Sequence, residues 1–374
     1  VDRPAPQPEP FPGPRPVLSG LREPPGPARY TTIAVIENLP EPVMPNDPLR
    51  CAVIGVGHLG KWHAAKYAQL TDAELVAVAD SNPATAQEVA SKHGCRAVMD
   101  HRELLGEVDA VSIAAPTTLH YAIARDFLDT GCHVLLEKPI TTTVEEAEEL
   151  NQMAEERGLI LQVGHLERFN AALRRLLENP LNPLFIESTR LAPFKPRATD
   201  VSVVLDLMIH DIDIILELVP SPLTDVRASG ARILTRDIDI ANARLEFANG
   251  CVANVTSSRV STKSERRMRI FQPNGYAAVD YQNRVLSLHY MGDTDPDTGL
   301  PEILGEDLVF DDADALLAEI QAFLAAIRGE QPVVATGRAG QRALETATRI
   351  TNLVYSNLAV MSAQDALVQE GVQQ

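Results

Sequence analysis

A fully apolar run leading straight into three spaced glycines constrains this chain more than any other feature. Cys51-Ala52-Val53-Ile54 has no polar alternation, as expected of a parallel-sheet strand covered on both faces. Gly55-Val56-Gly57-His58-Leu59-Gly60 follows, a G-x-G-x-x-G turn opening a helical pattern. The glycines meet three different needs. Gly55 permits the tight turn, Gly57 lets backbone approach a pyrophosphate, and Gly60 allows helix to pack closely on strand. The helix start adds unpaired N–H groups and the positive end of its dipole. A second apolar run, Leu75-Val76-Ala77-Val78-Ala79, ends in Asp80, 20 residues past Gly60. A carboxylate there accepts from the adenosine ribose hydroxyls and repels a 2′-phosphate, so NAD is expected ahead of NADP. Ser81 and Asn82 leave room for the phosphate.

The rhythm that follows is strand–helix alternation. Strands are expected at 51–55, 75–79, 110–114, 134–137 and 159–163, with helices at 60–70, 84–93, 119–130 and 143–157. Alternation at this period predicts a parallel sheet with right-handed crossovers and helices on both faces, a Rossmann domain over 49–166. After it come a helix at 167–178, a strand at 184–191 and a helix at 203–219. Strand-like segments then succeed one another at 225–234, 241–247, 251–259, 266–271, 276–280 and 284–290. Strands without intervening helices predict an α+β domain over 167–374, built on one large open antiparallel sheet. Helices at 312–328 and 338–360 close the chain, free to pack back on the first domain.

Residues 1–48 stand apart, holding 14 of the chain's 27 prolines. Proline lacks a backbone donor and favours extended geometry, so this stretch builds no core of its own. It reads as a flexible tail, or as an arm laid over the body or a neighbouring subunit. The formal charge of −18 argues against a nucleic-acid partner held by a generic basic surface. No run reaches the roughly 18 apolar residues that cross a bilayer, and Cys51, Cys95, Cys132 and Cys251 show no CxxC spacing. A cytoplasmic protein with reduced thiols and no membrane partner is the expectation.

Two segments bear chemistry. The strand from His133 runs into Glu137-Lys138-Pro139, and ligands of open α/β sheets sit at the carboxyl ends of strands. An ammonium group there can hold a substrate hydroxyl and favour its alkoxide as hydride leaves; an ordinary surface lysine is the plainer alternative. Asp206 and His210, four apart in an apolar helical segment, share one face. Burying them is costly unless they are paired or functional, and histidine suits removal of a hydroxyl proton. A satisfied core histidine beside a carboxylate is the competing reading. Asp211 and Asp213 raise the question of a metal, but they point away from that face and hydride transfer needs none. No metal is expected.

In order and spacing, Gly55-x-Gly57-x-x-Gly60, Glu137-Lys138-Pro139 and Asp206-x-x-x-His210 resemble the Gfo/Idh/MocA oxidoreductases. The likeness covers residue 49 to about 360 and leaves out the proline-rich arm. It implies that Lys138 and His210 sit beside a nicotinamide, with His210 as acid/base and Asp206 orienting the substrate. It also implies an open-faced sheet that builds homodimers or homotetramers. The cofactor-binding set is then Gly55, Gly57, His58, Leu59, Gly60, Asp80, Ser81, Ala115, Pro116, Thr117, His120, Glu137 and Lys138. A closer likeness, in Val163-Gly164-His165-Leu166-Glu167-Arg168-Phe169-Asn170 and Asp206–Asp213, is to a branch that includes UDP-N-acetylglucosamine 3-dehydrogenases. The implied substrate is a sugar or sugar nucleotide oxidised at a secondary hydroxyl. Its binding set is His165, Glu167, Arg168, Asn170, Arg190, Lys195, Arg197 and Arg259, since a diphosphate calls for arginine forks and other donors. The alternatives are a dehydrogenase of free sugars or inositols, and a dinucleotide-binding regulator without catalysis.

Overall fold

The computed structural model describes residues 47–196, 201–311 and 313–372; the proline-rich stretch up to residue 46 therefore lies outside the described residues. Strands β1 (Leu49–Ile54), β2 (Ala73–Ala79), β3 (Arg96–Val98), β4 (Ala110–Ile113), β5 (His133–Glu137) and β6 (Leu161–Gly164) form one sheet in the order β3-β2-β1-β4-β5-β6. Every pair in it is parallel. The chain reverses direction across the sheet between β1 and β4, and such a switch point opens a crevice at the strands' carboxyl ends.

Strand β1 explains its own unbroken hydrophobicity. Cys51 and Val53 pack into a core with Tyr67, Phe323 and Leu324, while Ala52 and Ile54 enter another with Phe127 and Leu150. Helices α1 (Gly60–Tyr67), α2 (Pro83–His93), α3 (Thr117–Asp129) and α4 (Val144–Arg157) supply the crossovers. Their ends follow local chemistry. The Asn82 side chain accepts from Ala84 and Thr85 N–H before Pro83 starts α2, and Thr143 with Glu146 forms a reciprocal capping box on α4. β3 was not expected: three residues, one of them buried, are too few for a period to register.

A second sheet has the order β14-β13-β12-β11-β7-β10-β9-β8. Its strands are β7 (Phe185–Leu191), β8 (Leu223–Ala231), β9 (Ile240–Phe247), β10 (Val252–Ser258), β11 (Glu265–Gln272), β12 (Gly275–Asp280), β13 (Val285–Thr294) and β14 (Pro301–Val309). The sheet is antiparallel, as expected, apart from one pair: β7 runs parallel to β10. β7 enters the sheet alone, first in the chain, and must be joined from both sides by later strands. β14 was not expected either: most of its residues are exposed, so it lacks the apolar alternation that marks a half-buried strand.

One face of this sheet packs on α5 (Ala171–Leu177), α6 (Ile209–Leu218) and α8 (Gly337–Val372). The helix expected over 203–219 is two pieces. Val204–Met208 is a wide π-turn, with Ile209 N–H bonded to Val204 O, and α6 starts only at Ile209. Helix α7 (Ala315–Ile327) returns to the first sheet, placing Ile320, Phe323 and Leu324 beneath β1. α8 serves both cores: Leu344 joins the parallel sheet's, while Ala347, Ile350 and Val354 join the other. None of the four cysteines pairs with another. No helix among the described residues is long and apolar enough to cross a membrane.

Candidate active site

At the switch point lies a cleft of about 600 Å³ whose lining includes Gly55, Gly57, His58, Leu59, Asp80, Ser81, Ala115 and Pro116. The glycines differ in what surrounds them. At Gly55 (φ +82°) a Cβ would stand 2.7 Å from Ala115 N, and at Gly60 a Cβ would stand 1.8 Å from Gly55 O. Both are needed for the backbone to close on itself. Around Gly57 nothing lies within 4 Å of such an atom, so its missing side chain leaves room on the cleft side. Asp80 Oδ2 accepts from Val56 N–H at 2.9 Å and Oδ1 from Asn82 N–H at 2.9 Å. The carboxylate is thereby locked at the rim. This cradle fits a dinucleotide: an open glycine, a helix start, and an oriented acid at the ribose end.

Two of the expected cofactor residues, His120 and Thr117, are not in the lining of this cleft. His120 is buried, with Nδ1 3.0 Å from Pro139 O and Nε2 2.9 Å from Ala115 O. It ties the loop after β4, which lines the cleft, to the loop after β5. Thr117 begins α3 behind the lining residue Pro116. Met99, His101 and Leu119 also line the cleft. Met99 and His101 follow β3, and only that short strand carries the chain to the cleft at this point, so their spacing in the sequence does not reveal them.

Beyond the cleft the two sheets meet, and Lys138 crosses the seam. Its Nζ donates to the main-chain O of Asp206 at 2.9 Å and lies 3.7 Å from Asp206 Oδ1. Asp206 sits inside the π-turn, a widened turn of the kind that recurs at functional sites. Burial pushes the Lys138 ammonium below its ordinary range, against the pull of Asp206 and Glu137. His210 opens α6, and its Nδ1 is buried without a hydrogen-bond partner. Burial first, then the charges of Lys138 and Arg190, hold its imidazole well below the usual range and so neutral. His165, fully buried with neither ring nitrogen hydrogen-bonded and Nδ1 3.6 Å from Asp213 Oδ2, is likewise held neutral chiefly by burial.

The remaining candidates form the layer beneath. Arg168 grips Asp213 with two bonds of 2.7 and 2.8 Å and also reaches Glu217 and Val334 O. Arg190 donates to Asp211 at 2.7 Å and to Glu167 at 2.8 Å. Both forks are thus turned inward, toward the acids of α6 and the turn after β6. Both guanidinium groups are engaged by internal carboxylates. Asn170 accepts from Ala172 N–H, starting α5, and donates to Tyr281 O. Arg259 donates to Val201 O. Lys195 is exposed after β7, and Arg197 lies outside the described residues. A buried trio that sequence reasoning did not assemble, His63, Glu137 and Glu319, brings potential ligand atoms within 4.8 Å of one another.

A parallel sheet with a dinucleotide cradle, joined to a sheet domain that offers a lysine–histidine pair, defines a nucleotide-dependent oxidoreductase. Comparison with known proteins agrees. Residues 49–165 match the oxidoreductase-family NAD-binding Rossmann model and residues 177–278 the Gfo/Idh/MocA C-terminal domain. The chain is 44% identical over 304 residues to UDP-N-acetylglucosamine 3-dehydrogenase of Acidithiobacillus ferrooxidans, covering 81% of this chain and 96% of that one. A solved structure of that enzyme superposes with a TM-score of 0.77 at 42% identity, covering 83% and 98% of the two chains. The chain is also 31% identical over 233 residues to scyllo-inositol 2-dehydrogenase (NAD(+)) of Bacillus subtilis, covering 57% and 68%. The chain belongs to the Gfo/Idh/MocA oxidoreductase family.

Proposed function

We propose that the chain is a cytoplasmic NAD-dependent dehydrogenase that oxidises the 3-hydroxyl of UDP-N-acetylglucosamine to a ketone. The observation that carries the dehydrogenase reading is the contact of Lys138 with Asp206, beside a His210 whose imidazole feels the lysine's charge. The likeness to the Acidithiobacillus enzyme supports the substrate. Asp80 supports NAD over NADP, because a carboxylate at the end of the second strand repels a 2′-phosphate.

Bound nicotinamide would supply the hydride acceptor, as the cofactor carries the redox chemistry. The chain's residues do the rest. Neutral His210 takes the proton of the reacting hydroxyl, and Lys138 stabilises the negative charge left on its oxygen. Asp206, bonded to Lys138 through its carbonyl, holds that ammonium in place and offers its carboxylate to a neighbouring hydroxyl. Positioning supplies much of the acceleration. The open face of the second sheet carries a stack of Phe271, Tyr276 and His289, which supports a homo-oligomer through that face.

A second substrate reading is favoured by one observation. With Arg168 and Arg190 committed to internal acids, fewer cations remain for a diphosphate, as suits a free sugar or inositol. Formation of reduced nicotinamide from NAD with UDP-N-acetylglucosamine, run with a carbonyl trap, tests the first reading. Turnover that vanishes in Lys138→Ala and His210→Ala while NAD still binds supports it. Turnover with inositols or free sugars alone establishes the second reading, and tight NAD binding without turnover on any polyol leaves a sensor.

A further inference from the structure

Helix α7 carries a carboxyl group where the core gives it nothing to pair with. Glu319 is fully buried beside Ile320, Phe323 and Leu324, which pack beneath β1. Neither of its carboxyl oxygens receives a hydrogen bond from a donor among the described residues. An ionised carboxylate left so in an apolar core is too costly to persist, and taking up a proton removes the cost.

Two groups share the space. His63 Nε2 lies 3.1 Å from Glu137 Oε1, and an atom each of His63, Glu137 and Glu319 fall within 4.8 Å of one another. Glu137 is anchored at its other oxygen, since Oε2 accepts from the main-chain N–H of Lys138 at 3.2 Å. Gly164 of β6 closes the far side: a Cβ there would come within 3.0 Å of Glu137 Cδ and Oε2. Gln162 of the same strand donates to the main-chain O of Glu319 at 3.2 Å and so fixes that turn of α7. Tyr67 of α1 is engaged with Ser112 at 2.9 Å. Glu137 therefore faces a second carboxyl with little freedom to turn away, and two carboxyls this close hold one proton between them. Burial and then Glu137 push the Glu319 carboxyl well up. Burial also pushes Glu137 up, but His63 and Lys138 outweigh it and keep Glu137 the ionised partner.

We propose that Glu319 is a positioning residue for Lys138: as the protonated member of the pair it hydrogen-bonds Glu137, which through its main-chain bond fixes the strand end from which Lys138 reaches the seam. The proposal rests on the reading of Lys138 as a group that acts on the substrate.

Isotope-edited infrared spectroscopy of the intact chain, with labelled glutamate, reads the shared proton without reference to any substrate. The expected result is the carbonyl stretch of an un-ionised acid in the wild type near neutral pH, absent from Glu319→Gln. In turnover assays Glu319→Gln, which keeps a donor for Glu137, should retain kcat close to the wild type. Glu319→Leu should lose on the order of 10- to 100-fold in kcat with little change in NADH affinity. If the leucine variant does not fold, the band and the glutamine variant decide the matter. Absence of the band, a loss of kcat in Glu319→Gln, or one equivalent of divalent metal in the wild type that this variant lacks would each overturn the proposal. A wild type that shows the band but oxidises no sugar counts against the functional reading and leaves the shared proton standing.

Discussion

Lys138 meets Asp206 twice, at the main-chain carbonyl (2.9 Å) and at the carboxylate (3.7 Å), and the shorter contact is the one that replacing the Asp206 side chain does not remove. Asp206→Asn should therefore leave the ammonium in place and cost about tenfold in kcat/KM, while Lys138→Ala should cost on the order of 100- to 1,000-fold. NADH affinity, read by fluorescence, should change little in either. Equal losses in the two variants would mean that the carboxylate, not the carbonyl, positions Lys138.

The neutral state of His210 predicts a pH profile. Its pKa is depressed below the ordinary 6.5 by burial and by Lys138 and Arg190, so the proton-accepting form persists as pH falls through that value. Oxidation rates should hold their plateau across pH 6.5 and decline only well below it, where His210 finally takes up a proton. His210→Asn should lower kcat by about 100-fold or more across the whole range. An acid limb centred at or above 6.5 would assign the base to another group.

Gly57 and Gly60 separate affinity from folding. A Cβ at Gly60 meets Gly55 O at 1.8 Å, whereas at Gly57 it meets nothing within 4 Å. Gly60→Ala should destabilise the chain by about 1–3 kcal/mol, as overpacking does. Gly57→Ala should keep the wild-type Tm yet weaken NAD binding by about tenfold or more, because the methyl occupies the phosphate's approach. Calorimetry and a binding titration on both variants check the pair, and an unchanged NAD affinity in Gly57→Ala would remove Gly57 from the cofactor site.

Asp213→Ala should cost roughly 3–5 kcal/mol, the range for breaking a buried ion pair and stranding its partner. Both members are nearly inaccessible, and Arg168 makes two bonds to Asp213. Urea unfolding measures this directly. A loss under about 1 kcal/mol would show that Glu217 and Val334 O suffice for Arg168.

Much of this was legible in the sequence, for reasons tied to particular residues. The glycine turn, Asp80 and Lys138 announce themselves because strand ends and tight turns impose local chemistry that spacing reveals. The fates of Arg168 and Arg190 were not legible, because a guanidinium is equally suited to a phosphate and to the acids of α6, and only the tertiary arrangement decides. The π-turn at Val204–Met208 was hidden for a similar reason: an apolar helical run looks the same whether one of its turns is widened or not. Glu319 left no trace, since a lone acid in an amphipathic helix reads as solvent-facing.

The return of α7 beneath β1 sets an order of assembly. Leu49, Val53 and Val56 need Phe323 and Leu324 as neighbours, yet about 270 residues separate the two groups along the chain. A ribosome that has released the whole parallel sheet has still released an unfinished domain, with one greasy flank bare until α7 emerges. β1, the strand that runs into the glycine turn, lies over that flank. The cofactor thus gains a completed site only after almost the entire polypeptide has been made, and nascent chains stalled short of α7 should be found in the hands of chaperones.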